Sequence, residues 1–335
     1  MKPNPLETRA SSDRLLRLAE AGYLNEKALE RALSLAGHIP GGAAWKKFLD
    51  YVLLILGAGF LISGIFFFFA YNWADMHRFL KFGLIEVGLL ITVGLAFYLG
   101  LDGLPGKVAL TAAALLVGVL LAVFGQAYQT GADAYELFLN WAALIAVWVV
   151  ISAYAPLWFG LLVLLNITVI TYWNQVLGES SPAMFGTLAV LNAVSLFAWE
   201  YAHHRGLSWL QSRWFPRLVA PAAFLFLVIP TLEFIFSLGE SRDFGPFLIL
   251  TPFLYLIFTL LVLFFYTKRG QDLFMLTIAS LSIIVVATSS VAKLFDFDFD
   301  TGVPYLILSL VIIGQAALAV SWLRNIAKAW EAANV

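Results

Sequence analysis

Apolar runs of about 20 residues recur along this chain, broken by short polar stretches, and each is long enough to cross a hydrocarbon core of about 30 Å as a helix. The pattern predicts about ten spans, near 49–70, 79–100, 107–127, 137–154, 157–177, 182–202, 216–238, 246–266, 271–292 and 302–323. A helix of a water-soluble domain would show a polar face inside such runs. Pro156, Pro182, Pro216, Pro246 and Pro304 fall at proposed span starts or in short connections, where a missing N–H does least damage. Only Ala155 and Pro156 separate the fourth and fifth spans, so a single long hairpin competes with two helices there. The expected fold is all-α, a polytopic transmembrane helix bundle.

The first 44 residues are different: polar, charged and short-ranged in pattern. Ser12 or Asp13 can cap a helix through Glu20, Gly22 can end it, and Asn25 can open another to about Ala36. Residues 1–44 therefore read as a small cytoplasmic helical hairpin and 45–335 as the transmembrane domain. Leu15, Leu16, Leu18, Tyr23, Leu24, Leu29 and Leu33 give the hairpin an apolar side, which needs its own membrane domain, the lipid surface or a protein partner to cover it. The run from Leu49 to Ala70 is too long for a signal peptide and lacks a small-residue cleavage site, so a retained helix is expected.

Composition agrees with the pattern. Hydrophobic residues make up 61% of the chain and charged residues 12%, with a mean hydropathy of +0.88. The net charge of −1 gives no basic field for nucleic acid. Cysteine is absent, which removes disulfides, thiolate metal sites and cysteine nucleophiles.

Lys and Arg in short loops set orientation. With the N-terminus inside, Lys46, Lys47, Lys107, Arg205, Arg213, Arg217, Lys268, Arg269, Arg324 and Lys328 flank the inner ends, against Arg78, Lys81, Arg242 and Lys293 outside. This asymmetry favours both termini in the cytoplasm.

Two segments on the expected outer side stand apart, FFFFAYNWADMHRFLKFGLIE from Phe66 and FGQAYQTGADAYELFLNW from Phe124. The patterns FFxAxNW with a following R-x-x-K, and GQxYQxGxD with a following LFxxWA, resemble a bacterial family of membrane proteins known as domain of unknown function 2157. The resemblance covers roughly residues 10–170 and picks out Asn72, Trp73, Arg78, Lys81, Gln126, Tyr128, Gln129, Gly131, Asp133 and Trp141. One departure is His77, where the family typically has proline before the arginine, which is expected to loosen the start of the second span. The resemblance supports the fold, implies a bacterial cytoplasmic (inner) membrane protein, and implies no established activity.

The same residues carry a physical reading of their own. An ionised Glu86, about 10 Å inside its span by helical rise, would cost up to a few kcal/mol facing lipid and is expected to face protein or water. Gly83 and Gly94 share its face and would admit a neighbouring helix. Arg78 lies two turns before Glu86, within reach of a bridging water or anion. Ala114, Gly118 and Ala122 form a small-residue seam ending in Gln126. Asn72, Trp73, Arg78, Glu86, Gln126, Tyr128, Gln129, Asp133 and Glu136 then supply amides, charges and amphipathic rings for an outward-facing pocket, suited to a small polar or cationic ligand or a proton. The competing reading makes them helix ties and interfacial aromatics.

Other polar groups read as structural. Thr168, Thr171 and Gln175 form a stripe in which threonine bonds its own backbone. Asn166 sits in a glycosylation sequon too deep for any transferase, while Asn192 and Gln315 read as interhelical ties and Glu233 as interfacial. Asp296, Asp298 and Asp300 resemble the start of a calcium loop, but Gly302 is one place late and Ile307 stands where a bidentate Glu belongs. His203 and His204 are adjacent and share no helical face as ligands. No metal and no cofactor are expected. A transporter-like or channel-like role leads, followed by a non-catalytic accessory or sensory subunit. An enzyme acting on envelope lipids through carboxylates comes third, for no nucleophile or phosphate-loop motif accompanies them.

Overall fold

A computed structural model describes residues 11–37, 42–72, 76–178, 181–239, 245–295 and 302–333. The described residues form α1 (Ser12–Glu20), α2 (Glu26–Leu35), α3 (Gly42–Asn72), α4 (Arg78–Leu99), α5 (Leu104–Tyr128), α6 (Ala134–Ser152), α7 (Ala155–Tyr172), α8 (Pro182–His204), α9 (Trp214–Ser237), α10 (Pro246–Phe265), α11 (Leu273–Leu294) and α12 (Val303–Ala333). Ten helices, α3 to α12, are long and apolar enough to cross a membrane, and each coincides with one of the expected runs. The chain divides into two compact units, Met1–Leu116 and Val117–Val335.

In the first unit, α1 and α2 pair as the expected hairpin, with Gly22 at φ +79° in the turn. Asn25 caps α2 by accepting the Ala28 N–H at 2.9 Å. The cap of α1 is Ser11 rather than Ser12 or Asp13, and its side chain makes no capping bond; Asp13 sits in the first turn, where a negative charge suits the helix dipole. No breaker stands between Gly42 and Leu49, so α3 starts about two turns before its apolar run and carries Lys46 and Lys47 on the helix itself. His77, the departure from the family motif, precedes α4 in an extended conformation, its carbonyl accepting the Leu80 N–H at 3.0 Å. The helix therefore starts cleanly at Arg78. Among the described residues nothing lies within 4 Å of a Cβ built at Gly83 or Gly94, so the expected close approach is not made there; at Gly88 that Cβ would meet the Leu116 side chain at 3.5 Å.

In the second unit α9 is central and packs against α8, α10 and α11, while α7 lies between α6 and α8 and α12 rests on α11. Ala220 and Ala223 on α9 and Ala279 on α11 are fully buried, small side chains that let the backbones approach. Gly118 on α5 has the same role: a Cβ there would overlap the Trp141 ring, so the small-residue seam and the motif tryptophan fit together. Ala153 at φ +43° breaks the chain between α6 and α7, which settles the fourth and fifth spans as an antiparallel pair of helices. Pro252 cannot donate to the Leu248 carbonyl, and the Thr251 hydroxyl donates to it instead at 3.0 Å.

The amides at mid-helix are interhelical ties. Asn192 Nδ2 donates to Asn166 Oδ1 at 2.7 Å, joining α8 to α7, and Thr288 Oγ1 donates to Gln315 Oε1 at 3.3 Å, joining α11 to α12. Asn166 thus has a packing role beyond its sequon. Thr168 and Thr171 donate to the Leu164 and Ile167 carbonyls of their own helix.

Candidate functional site

At one end of the second unit, two buried carboxylates meet two partly exposed guanidiniums. Glu200 lies one turn before the end of α8 and is 1% exposed. Arg213 precedes α9, Arg217 occupies its first turn, and Asp272 caps α11 by accepting the Phe274 N–H at 3.0 Å. Between α10 and α11 the chain makes a π-helical turn, Tyr266–Gly270, and Gln271 at φ +43° ends it. Gly270 is required in that turn because a Cβ would come within 2.5 Å of Tyr266 Cδ1. The turn holds Tyr266 fully buried with its hydroxyl aimed at Glu200.

The charges interlock. Arg213 Nη1 donates to Glu200 Oε2 at 2.9 Å, and its Nε reaches Asp272 Oδ2 at 3.4 Å. Arg217 Nε donates to the same Asp272 oxygen at 3.1 Å and Nη2 to Oδ1 at 3.3 Å. Tyr266 Oη donates to Glu200 Oε1 at 2.8 Å. Burial alone would lower the Arg213 pKa, but the hydrogen bond and charge of Glu200 override it and hold the guanidinium above its ordinary value. Two guanidiniums balance the two buried carboxylates, as buried charges require. Trp199 stacks on Phe215 at 3.9 Å beneath it, and a cavity of about 470 Å³ opens beside Arg213, Arg217 and Asp272, bordered by Phe274 and Trp330.

Sequence reasoning used Arg213 and Arg217 only for orientation and did not single out Glu200, Tyr266 or Asp272. One signal was available. Glu200 is a carboxylate inside an apolar run, eight residues after Asn192 and therefore on the same helical face.

The residues expected to form an outward pocket are placed as follows. Trp73 and the side chain of Asn72 lie outside the described residues, as do Asp296, Asp298 and Asp300. Arg78 is the first residue of α4, its guanidinium 5.3 Å from the Phe79 ring centroid, and Glu86 is exposed two turns further along. In the second unit, Gln126 and Tyr128 are exposed at the end of α5. Gln129 and Gly131 both take positive φ, which accounts for the glycine in that motif. Asp133 precedes α6 and Glu136 lies in its first turn, 3.5 Å from the Tyr135 hydroxyl. Gln175, which had read as part of a structural stripe, comes to the same end and accepts the Tyr135 N–H at 3.2 Å. His203 and His204 each contact a backbone carbonyl, that of Leu210 at 3.0 Å and of Glu200 at 2.8 Å.

Ten long apolar helices among the described residues, polar groups paired between or within them and a charge-balanced cluster around two buried carboxylates define an all-α polytopic membrane protein. Within that class, residues 16–158 match the model of the family described as predicted membrane protein (DUF2157), which bears out the resemblance carried by the two motifs. That stretch runs from α1 into the start of α7. No curated protein and no solved structure matches the chain.

Proposed function

We propose that this protein is a transporter-like or channel-like protein of the bacterial cytoplasmic membrane, with both termini in the cytoplasm, and that the Glu200, Arg213, Asp272 and Arg217 cluster closes its cytoplasmic side. The cluster is the observation that carries the reading. Ionisable groups kept inside membrane helices mark pathways more often than scaffolding, and this one joins α8, α9 and α11 at the end where basic residues accumulate. Behind it on α8, Leu196 is fully buried and the Asn166 and Asn192 pair follows, so the cluster and an apolar plug stand in series before a polar mid-membrane point. Arg78 and Glu86 in the first unit and, separately, Asp133 and Glu136 in the second are proposed as outward-side groups for a polar or cationic ligand or a proton.

The absence of cysteine makes the test direct. Asn192→Cys and Ala189→Cys, as separate single-cysteine proteins in inside-out vesicles, are treated with a membrane-impermeant maleimide. Slow labelling that accelerates several-fold when Glu200→Gln is added supports a gated path. Labelling that stays slow in both positions after the cluster is broken overturns the reading.

A second reading, an accessory or sensory subunit, is favoured by the N-terminal hairpin, which leaves Tyr23 79% and Leu35 83% exposed. A stoichiometric partner that co-purifies with the full chain and is lost on deleting residues 1–40 would support it.

A further inference from the structure

We infer that the first unit holds a membrane phospholipid with an anionic headgroup, one acyl chain lying in a groove between α3, α4 and α5 and the phosphate at Lys46 and Lys47. The groove encloses about 910 Å³ and is lined by apolar side chains together with Gly57 and Gly64 of α3, Gly88 of α4 and Ala109 and Ala112 of α5. Its wall includes one hydroxyl, Thr92, and that group already donates to the Gly88 and Leu89 carbonyls of its own helix at 2.9 and 3.0 Å. Such a wall asks nothing of its occupant but hydrocarbon contact. The glycines keep it smooth, because a Cβ at Gly57 or Gly64 would meet nothing within 4 Å. From Leu53 to Phe68 the α3 wall rises about 22 Å, which lies within the hydrocarbon core.

The headgroup end is fixed by α3. Trp45, Lys46, Lys47, Phe48 and Tyr51 are exposed just before Leu53, the mix of aromatic and basic side chains that sits at a membrane interface. Lys47 Nζ lies 5.8 Å from the Tyr51 ring centroid, close to the mouth of the groove. Lys107 in the first turn of α5 reaches the same end, so three lysines stand there against Asp50 and Asp102. The positive excess selects an anionic phosphodiester over a zwitterionic one, because lysines near a membrane surface attract anionic lipid.

The wild-type chain in nanodiscs containing phosphatidylglycerol with a photoactivatable tail provides the test. Adducts are expected to concentrate on groove residues such as Leu61, Ile91 and Leu95. Their yield should fall several-fold in Lys46→Gln/Lys47→Gln and stay low when the phosphatidylcholine analogue replaces the probe. Gly57→Leu/Gly64→Leu should displace the adducts without changing the yield on α12. Adducts spread equally over Leu310 and Ile313 of α12, equal yields from both lipids, or a crosslinked dimer that shields the groove would each overturn the inference.

Discussion

Arg213 Nη1 stands 2.9 Å from Glu200 Oε2, and Glu200 is almost without access to solvent, so the arginine is the counter-charge to a carboxylate held inside a membrane helix. Removing one partner of a buried pair leaves an uncompensated charge and costs about 3 to 5 kcal/mol. Arg213→Ala should therefore lower unfolding stability by about that amount in detergent, whereas Arg213→Met with Glu200→Gln should recover much of the loss. Arg217, with a side chain 46% exposed, should cost less than about 1 kcal/mol as Arg217→Ala. Equal losses at the two arginines would show that burial does not decide the strength of the cluster. Because the Arg213 value is raised, its contribution is complete below the unfolded-state value and is lost only as pH rises through the raised one. Across the neutral range its titration should leave stability unchanged.

Gly118 and Trp141 make a contact with no spare room. Gly118→Val should destabilise by about 1 to 3 kcal/mol through overpacking, and combination with Trp141→Leu should restore part of it. A thermal shift assay on the four proteins reads the coupling. Independent effects would mean the ring moves aside freely.

The Asn166 and Asn192 tie is a neutral hydrogen bond within a bilayer, where measured contributions average about 0.6 kcal/mol. Asn192→Leu should cost little more than that, and the two leucine substitutions should be less than additive. A loss comparable to that at Arg213 would assign the pair more than a packing role.

Orientation is testable by labelling intact cells with an impermeant thiol reagent. Asp133→Cys should react from outside, and Ser208→Cys and Lys268→Cys only after the cells are opened. Gly270 is unsuitable for this purpose, since any side chain there strikes the Tyr266 ring. Reaction of Ser208→Cys in intact cells would invert the topology.

The spans were legible because bilayer thickness fixes the length of every apolar run, and that constraint acts locally along the sequence. The end of α3 at Gly42 was not, because an interfacial turn bearing Lys46 and Lys47 differs little in polarity from a loop. The seam glycine at 118 was visible as a small residue in a packing seam, but the Trp141 ring it accommodates and the positive φ at Gly131 were not. The charge cluster was harder to see. Glu200, Arg213 and Asp272 lie on three separate elements, and their pairing depends on the packing of α8 and α11 around α9, which no local pattern encodes. Histidine in place of proline before Arg78 suggested a frayed start, yet the extended backbone at His77 begins α4 without a proline.

The position of α9 at the hub has a consequence for biogenesis. Its basic start has Glu200 upstream in the chain, already made when α9 emerges, but Asp272 belongs to a helix synthesised two spans later. Arg217, whose ion pair is with Asp272, therefore lacks that partner until α11 is begun. Charge balance around α9 thus needs a residue that follows it by two spans in the chain.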